Sequence, residues 1–184
     1  MKELNLTSRG NQALRALALT FILALFASCR HSATTTILPY RETQVEKSDV
    51  EVVDGDTFNW RNQPVRMLGI DCPETKSPHH SGDQEPWGGR AREYLETQIA
   101  AAKSLSIVRI EKPDRYGRWL AYLMADGENV NAKLISQGLA YETISKYGKQ
   151  KLDRYAEEVL KAERTAPKPQ FENPADFRKR NRKE

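Results

Sequence analysis

VVDGDTFNWRNQPVRMLGIDCPE, residues 52–74, contains two apolar-rich runs on either side of a short polar turn. The runs are residues 52–60 and 64–70, and the turn is Arg61-Asn62-Gln63. Apolar runs bounded by turn residues predict strands, and a short turn between them predicts a β-hairpin. Folding this hairpin would bring the acidic residues at its two ends together.

Four acidic residues lie near the ends of the predicted hairpin, and the hairpin would place them beside one arginine, Arg66: they are Asp54, Asp56, Asp71 and Glu74. Carboxylates in one place repel one another unless a cation lies among them, and oxygen ligands suit a hard ion such as calcium. One interpretation is therefore a metal site. The alternative is structural, with the first two acidic residues in a turn and the last two in a loop or helix start.

Outside the hairpin, short or alternating apolar runs predict strands at residues 44–53, 105–111 and 119–124. Apolar residues at helical spacing predict three helices, at residues 90–102, 130–137 and 149–164. Gly138 and Pro167 suit the ends of the second and third helices. About five strands and three helices indicate an α+β fold, and a small closed barrel would leave no exposed strand edges.

With 184 residues, the chain is long enough for one domain with a hydrophobic core, plus tails. The predicted domain is residues 44–165, preceded by a flexible tether at 29–43 and followed by a basic disordered tail at 166–184. The formal net charge of +4 favours an anionic partner but decides nothing alone. The tail is interpreted as solvated, with attraction of polyanions or membrane phosphate as the alternative.

Residues 1–28 predict a signal peptide, because basic residues precede an apolar run, ALALTFILALFA, at residues 16–27. That run is too short for a membrane-spanning helix of about 20 residues. It leads into Ala27-Ser28-Cys29, which resembles the bacterial lipoprotein signal. We expect export and a lipid anchor at Cys29 that holds the protein at the cell envelope. Simple secretion and a spanning anchor are the alternatives.

A second polar segment, Asp114-Arg115-Tyr116-Gly117-Arg118, lies between two predicted strands. Guanidinium groups match phosphate oxygens with two parallel hydrogen bonds, and an aromatic ring offers a stacking face for a base. A charged hairpin loop with no ligand is the alternative.

Five motifs together resemble the staphylococcal nuclease (thermonuclease) family over about residues 45–164. They are DGDT at 54–57, RMLGIDCPET at 66–75, DRYGR at 114–118, LAYLMADG at 120–127 and VNAKLISQGLA at 130–140. The resemblance implies a five-stranded OB-fold barrel with three helices. It also implies a calcium-dependent nuclease that cuts DNA and RNA, leaving 3′-phosphate and 5′-hydroxyl ends.

The resemblance implies the metal ligands as well. Asp56 and Asp71 match the calcium carboxylates, and Cys72 occupies a position whose backbone carbonyl binds the ion. Because that ligand is main chain, the cysteine side chain should be tolerated there.

Catalytic and substrate-binding roles follow in the same way. Glu74 matches the glutamate that orients or deprotonates the attacking water, and Arg66 and Arg118 match arginines that grip the scissile phosphate. A dication and two guanidiniums would stand where phosphodiester cleavage develops negative charge. Tyr116 matches a tyrosine that contacts the bound nucleotide, and Arg115 of the same loop is a further substrate-binding candidate.

The sequence departs from the family pattern in two places. Tyrosines that follow the QGLA segment in the family are replaced by Ile144 and Lys146, although Tyr141 and Tyr147 lie nearby, so base preference stays open. The loop at residues 76–87 is longer and contains a pair of histidines, which we interpret as solvated in preference to phosphate or metal ligands.

Two other classes of function stay open from the sequence. An OB barrel can bind single-stranded nucleic acid without cutting it, and a surface lipoprotein can serve as a structural or adhesion module. The acidic cluster discriminates between the first class and a nuclease, because carboxylates repel a phosphate backbone unless a metal neutralises them. No protein partner is inferred.

Overall fold

The structure is a computed structural model that describes residues 40–183, so the predicted signal peptide and Cys29 lie outside the described residues. The strands are β1 (Arg41–Val45), β2 (Val50–Val52), β3 (Thr57–Trp60), β4 (Gln63–Met67), β5 (Ile70–Asp71), β6 (Leu105–Arg109), β7 (Trp119–Ala125), β8 (Glu128–Asn129) and β9 (Tyr141–Glu142). The helices are α1 (Trp87–Ala101), α2 (Val130–Ser136), α3 (Ile144–Tyr147), α4 (Asp153–Glu163) and α5 (Pro174–Arg180). A short 3₁₀ helix, Lys47–Asp49, separates β1 from β2.

A seven-stranded sheet runs in the order β1-β6-β7-β4-β3-β2, with β8 paired to β7, while β5 and β9 form a separate antiparallel pair. Strands β4 and β7 are parallel, and the other neighbours in the large sheet are antiparallel. The predicted α+β class is confirmed. The described part of the chain has more secondary-structure elements than predicted. The 3₁₀ helix interrupts the first predicted strand, and helices α3 and α5 were not predicted.

The predicted hairpin is formed by β3 and β4, which pair with Thr57 opposite Arg66 and Trp60 opposite Gln63. Its two linking residues, Arg61 and Asn62, both have positive φ angles of 52° and 64°. A two-residue turn of this kind matches the right-handed twist of the strands it joins. The register therefore places Arg66 beside the residue that follows Asp56.

One hydrophobic core lies between the large sheet and the helices. Phe58 and Val65 of the hairpin, Ile107 of β6 and Leu95 of α1 are all fully buried, with 0% exposure. Burying a side chain of this size contributes about 1.5–3 kcal/mol, so the core fixes the hairpin that carries the acidic residues.

Close packing also fixes the loop before β3. A Cβ atom added at Gly55 would lie 2.6 Å from the Cβ of Ala91 and 2.8 Å from the Cβ of Cys72. Heavy atoms cannot approach so closely, so a side chain at this position would displace helix α1 or the chain after β5. The acidic residues on either side of Gly55 are held against α1 by this contact.

The C-terminal segment differs from the prediction of a disordered tail. Helix α5 begins after Asn173, whose side chain accepts a hydrogen bond from the Ala175 amide at 3.0 Å, and Pro174 occupies its first turn. Phe177 is buried, with 7% exposure. An N-cap, a favourable proline and one apolar anchor are enough to fold this segment against the domain. Disorder is therefore wrong for residues 174–180.

Among residues 40–183, no helix has both the length and the hydropathy that crossing a membrane requires.

Candidate active site

Two buried aspartates and one arginine form the centre of the site. Asp56, just before β3, and Asp71, at the end of β5, are only 2% and 4% exposed. Arg66 forms an ion pair with Asp56, and its Nη2 donates to Oδ1 of Asp71 at 2.6 Å. Buried carboxylates are costly unless a cation compensates them, so Arg66 makes this arrangement possible.

Hydrogen bonds orient the Asp56 side chain further. The backbone amide of Cys72 donates to Oδ2 of Asp56 at 2.7 Å, and the Thr57 hydroxyl donates to Oδ1 at 3.2 Å. Asp54 accepts a 3.0 Å hydrogen bond from the Asp56 amide. Burial raises the pKa of Asp54 above its ordinary value, against the opposing effect of Arg66. The Cys72 thiol is buried, which raises its pKa well above the ordinary value, so this side chain is neutral and unreactive.

Glu74 lies beside the aspartates, and each of its carboxylate oxygens has a donor. Oε2 accepts from Nε2 of His80 at 2.8 Å, and Oε1 accepts from Arg178. The Glu74 backbone is held by Gln84, whose side-chain oxygen accepts from the Glu74 amide at 3.0 Å. His80 is only 4% exposed, so the interpretation of a solvated histidine is wrong for His80, while His79 is exposed as expected.

Arg178 of α5 is the site residue that the sequence reasoning missed. Its Nη1 and Nη2 donate to the two oxygens of Asp71 at 3.1 and 2.8 Å. Burial acts to lower the pKa of this guanidinium, but Asp71 and Glu74 outweigh burial and raise the pKa, so Arg178 is charged. The Asn173-Pro174 pair signals a helix start. Nothing local in the sequence shows that this helix reaches the acidic cluster.

The DRYGR loop lies next to the hairpin, because β4 and β7 are parallel neighbours and Gln63 donates to the Gly117 carbonyl at 2.8 Å. Arg118 pairs with Asp114 of its own loop at 2.8 Å, and its charge also acts to lower the pKa of Asp54, so its field reaches the carboxylate cluster. Burial acts to raise the pKa of Asp114, but hydrogen bonds from Arg118 and Tyr116 outweigh burial and lower it.

An exposed aromatic group projects from the same loop. The Tyr116 side chain is 66% exposed, and the guanidinium of Arg115 lies 4.8 Å from its ring centroid and donates to its hydroxyl at 2.7 Å. An exposed ring with the Arg115 guanidinium beside it is suited to contact a base and a phosphate backbone. The structure therefore separates the predicted residues into a buried acidic centre and an exposed basic loop.

The tyrosine substitutions noted in the sequence also have structural outcomes. Ile144 is buried, with 4% exposure, and so belongs to the core. Tyr147 is 60% exposed, with the Lys146 ammonium 5.1 Å from its ring centroid. Tyr141 lies opposite Asp71 in the β5–β9 pair, and its hydroxyl donates to the Phe171 carbonyl at 2.8 Å. Of these two tyrosines, Tyr147 is therefore exposed, while Tyr141 holds the C-terminal segment.

The donor set fits calcium in chemistry and charge. Between residues 40 and 183, no group of three His, Cys, Asp or Glu side chains is arranged to hold a metal ion. Calcium, however, takes many of its six to eight oxygen ligands from backbone carbonyls and water, so two aspartates are compatible with it. The four carboxylates exceed the two guanidiniums of Arg66 and Arg178 by two formal negative charges, which a divalent cation would neutralise.

Comparison with known proteins adds a family match. Residues 64–172 match the family described as Staphylococcal nuclease homologue. The chain is 35% identical to Thermonuclease from Staphylococcus hyicus over 95 residues, covering 50% of this chain and 55% of the relative. It is 35% identical over 105 residues to Endonuclease YncB from Bacillus subtilis (strain 168), covering 52% of this chain and 49% of the relative. It is 37% identical over 105 residues to the SPbeta prophage-derived endonuclease YokF of the same organism, covering 52% of this chain and 35% of the relative. The chain thus spans about half the length of the first two relatives and less of the third.

Proposed function

This chain belongs to the staphylococcal nuclease family, and we therefore propose that it is a nuclease that hydrolyses the phosphodiester bonds of DNA and RNA. The predicted family is confirmed, and four of the five motifs lie within the matched residues 64–172, whereas DGDT at 54–57 precedes them. The finer proposal is a calcium-dependent reaction that leaves 3′-phosphate and 5′-hydroxyl ends. We also infer that the seven-stranded sheet corresponds to the five-stranded OB barrel of the family, with α1, α2 and α4 as its three helices.

One observation carries this proposal: Asp56 and Asp71 are buried around Arg66, with the Glu74 carboxylate beside them. Burying these negative charges is costly for folding, and the carboxylates also repel a phosphate backbone. A barrel that only binds single strands needs a basic groove and aromatic platforms, and gains nothing from such a cluster. The same cost argues against a purely structural lipoprotein.

The residues of this chain would act as follows. Asp56, Asp71 and the Cys72 carbonyl would hold calcium, which when bound supplies positive charge to polarise the scissile phosphate. Glu74 would orient the attacking water and accept its proton. Arg66 would hold a phosphate oxygen directly beside the aspartates.

Substrate contacts would come from the DRYGR loop. Arg118 would exchange its Asp114 partner for a phosphate oxygen where charge develops during cleavage. Arg115 would bind a backbone phosphate of the substrate, and the Tyr116 ring would stack on a base.

A cleavage assay tests the proposal. We expect degradation of single-stranded DNA and of RNA with calcium, loss of activity with a calcium chelator, and loss of activity with calcium in Glu74→Gln. Product ends are identified by whether a kinase can label the 5′ end without prior phosphatase treatment. Intact nucleic acid after incubation with folded protein and calcium would reject the nuclease, and full activity in chelator would reject the metal requirement.

We further propose that the chain is exported and lipidated at Cys29, which lies outside the described residues. Cells that express the protein are grown with a tagged fatty acid. We expect label on the wild type and on Cys72→Ser, but none on Cys29→Ser. Because the chain has only these two cysteines, Cys72→Ser is the matched control. Equal label on wild type and Cys29→Ser would reject lipidation at this residue, and simple secretion would replace it.

A further inference from the structure

The C-terminal helix contributes a side chain to the acidic cluster. Arg178 donates to both oxygens of Asp71, at 3.1 and 2.8 Å, and also to Oε1 of Glu74. One guanidinium thus joins a proposed calcium ligand to the proposed water-activating residue. Arg178 lies beyond residues 64–172, which the family match covers.

Contacts that do not involve Arg178 also hold this C-terminal segment in place. The Phe177 ring packs edge-to-face on His80, with centroids 5.6 Å apart, and the Ser81 amide donates to the Asn181 carbonyl at 2.8 Å. Gln84 donates to the Glu172 carbonyl at 2.7 Å while its oxygen accepts from the Glu74 amide. One glutamine therefore fixes the Glu74 backbone relative to the segment that carries Arg178. Helix α5 thus contacts the rest of the domain through residues on both sides of Arg178 in the chain.

His80 completes the arrangement around Glu74. An ionised carboxylate only accepts hydrogen bonds, so Nε2 of His80 carries the proton that it donates to Oε2 at 2.8 Å. Arg178 takes the other oxygen. Both carboxylate oxygens of Glu74 are therefore hydrogen-bonded, one to His80 in the loop before α1 and one to Arg178 in α5.

We propose that Arg178 is a positioning residue of the nuclease site, which together with His80 holds the Glu74 carboxylate in one orientation beside Asp71. This inference rests on the proposed function. A free glutamate side chain samples several rotamers, and ordering it before the reaction removes that entropy from the barrier. Partners that orient the residues of a metal site typically change activity or metal affinity about 10–100-fold when they are lost.

Two substitutions and a matched control test the proposal. Arg178→Gln removes the charge and the two-pronged geometry, while Arg178→Lys keeps the charge. Arg180→Gln is the control, because Arg180 pairs with Glu172 at 2.7 and 2.6 Å and supports the same helix without touching the carboxylates. We expect kcat to fall about 10–100-fold in Arg178→Gln with KM within about twofold of wild type. Arg178→Lys should recover part of that loss, and Arg180→Gln should keep kcat within about twofold of wild type.

A second measurement is independent of activity. Arg178→Gln and Glu74→Gln are combined, and Tm is measured in chelator for wild type, both single variants and the double variant. Residues in contact give non-additive effects, so the Tm loss from Arg178→Gln should be smaller in the Glu74→Gln background. Additive Tm losses would reject the contact.

Three activity results would overturn the positioning role: a kcat of Arg178→Gln within twofold of wild type, an equal loss in Arg180→Gln, or a gain in activity. The second result would show that only helix docking matters, and the third that α5 inhibits the site. A wild-type protein that cuts no nucleic acid would reject the proposed function instead. The Tm cycle would then still decide whether Arg178 holds Glu74.

Discussion

Arg66→Ala is expected to lower kcat about 10²–10³-fold, which corresponds to roughly 2.7–4 kcal/mol of lost transition-state stabilisation. Arg66 lies between Asp56 and Asp71, with its side chain only 19% exposed, so a phosphate that it binds is shielded from water. If it acts on charge that appears mainly during bond cleavage, kcat should fall much more than substrate binding weakens. Steady-state kinetics with a defined oligonucleotide measure both quantities.

Stability complicates this prediction, because Arg66→Ala leaves two buried carboxylates with less compensation. Breaking a buried ion pair costs roughly 3–5 kcal/mol, so the variant could lose activity by unfolding. Arg66→Lys keeps the positive charge but loses the planar fork that matches two phosphate oxygens. We expect its kcat to fall as well, while its Tm stays closer to wild type.

Arg61→Ala is the control for both variants. Arg61 belongs to the same hairpin, pairs with Asp49 at 2.7 Å and has a side chain that is 67% exposed, so its loss should change neither kcat nor Tm appreciably. If folded Arg66→Lys kept the wild-type kcat, the proposal that the planar guanidinium of Arg66 binds phosphate oxygens would be contradicted. A protein that only binds nucleic acid would instead show weaker affinity and a shallower salt dependence in Arg66→Ala, which removes the charge.

Calcium should raise Tm by roughly 10 °C at a hundredfold excess over its Kd, and the variant with Asp56→Asn and Asp71→Asn should lose this rise. The expected stabilisation is about 2.7 kcal/mol, because an ion that binds only the folded state stabilises it by RT ln(1 + [L]/Kd). For a domain of this size, each kcal/mol shifts Tm by several degrees. Thermal unfolding with added calcium or chelator gives the difference.

The relevant quantity is the calcium-induced change in Tm, not Tm itself. Asp56→Asn and Asp71→Asn also remove the partners of Arg66 and Arg178, so the unfolding temperature in chelator will change for that reason alone. A variant with Asp49→Asn and Asp153→Asn is the matched control, since both aspartates form ion pairs outside the site. A calcium-induced rise that persists undiminished in Asp56→Asn with Asp71→Asn would place the ion elsewhere.

The features that sequence reasoning predicted correctly depend on short spacings. Hairpin β3–β4 follows from two apolar runs around a short turn, and helix α1 follows from apolar residues at helical spacing. Because the β3–β4 register places Arg66 opposite Thr57, and the chain after β4 brings the Cys72 amide to Asp56, the acidic centre could also be predicted from residues 52–74.

The interpretation of the histidine loop and the tail failed for a different reason. His80 and Phe177 are each unremarkable in their own segments, and each is buried only because the other segment covers it. Local polarity and charge predict exposure for both. Their burial depends on a contact between residues almost a hundred positions apart, which no local pattern reports.

Residues 52–74 and the three motifs that follow them are thus sufficient to assign the family, the α+β class and the acidic centre, because hydrogen-bonded hairpins and helices are specified by neighbouring residues. The role of α5 is visible only in the folded chain. Arg178 meets Asp71 from a helix 107 residues later in the chain, and Gln84, Tyr141 and Phe177 together set where that helix lies. Which carboxylate a distant arginine compensates follows from how the segments pack, since ion pairing is decided by distance in space and carries no signature in sequence spacing.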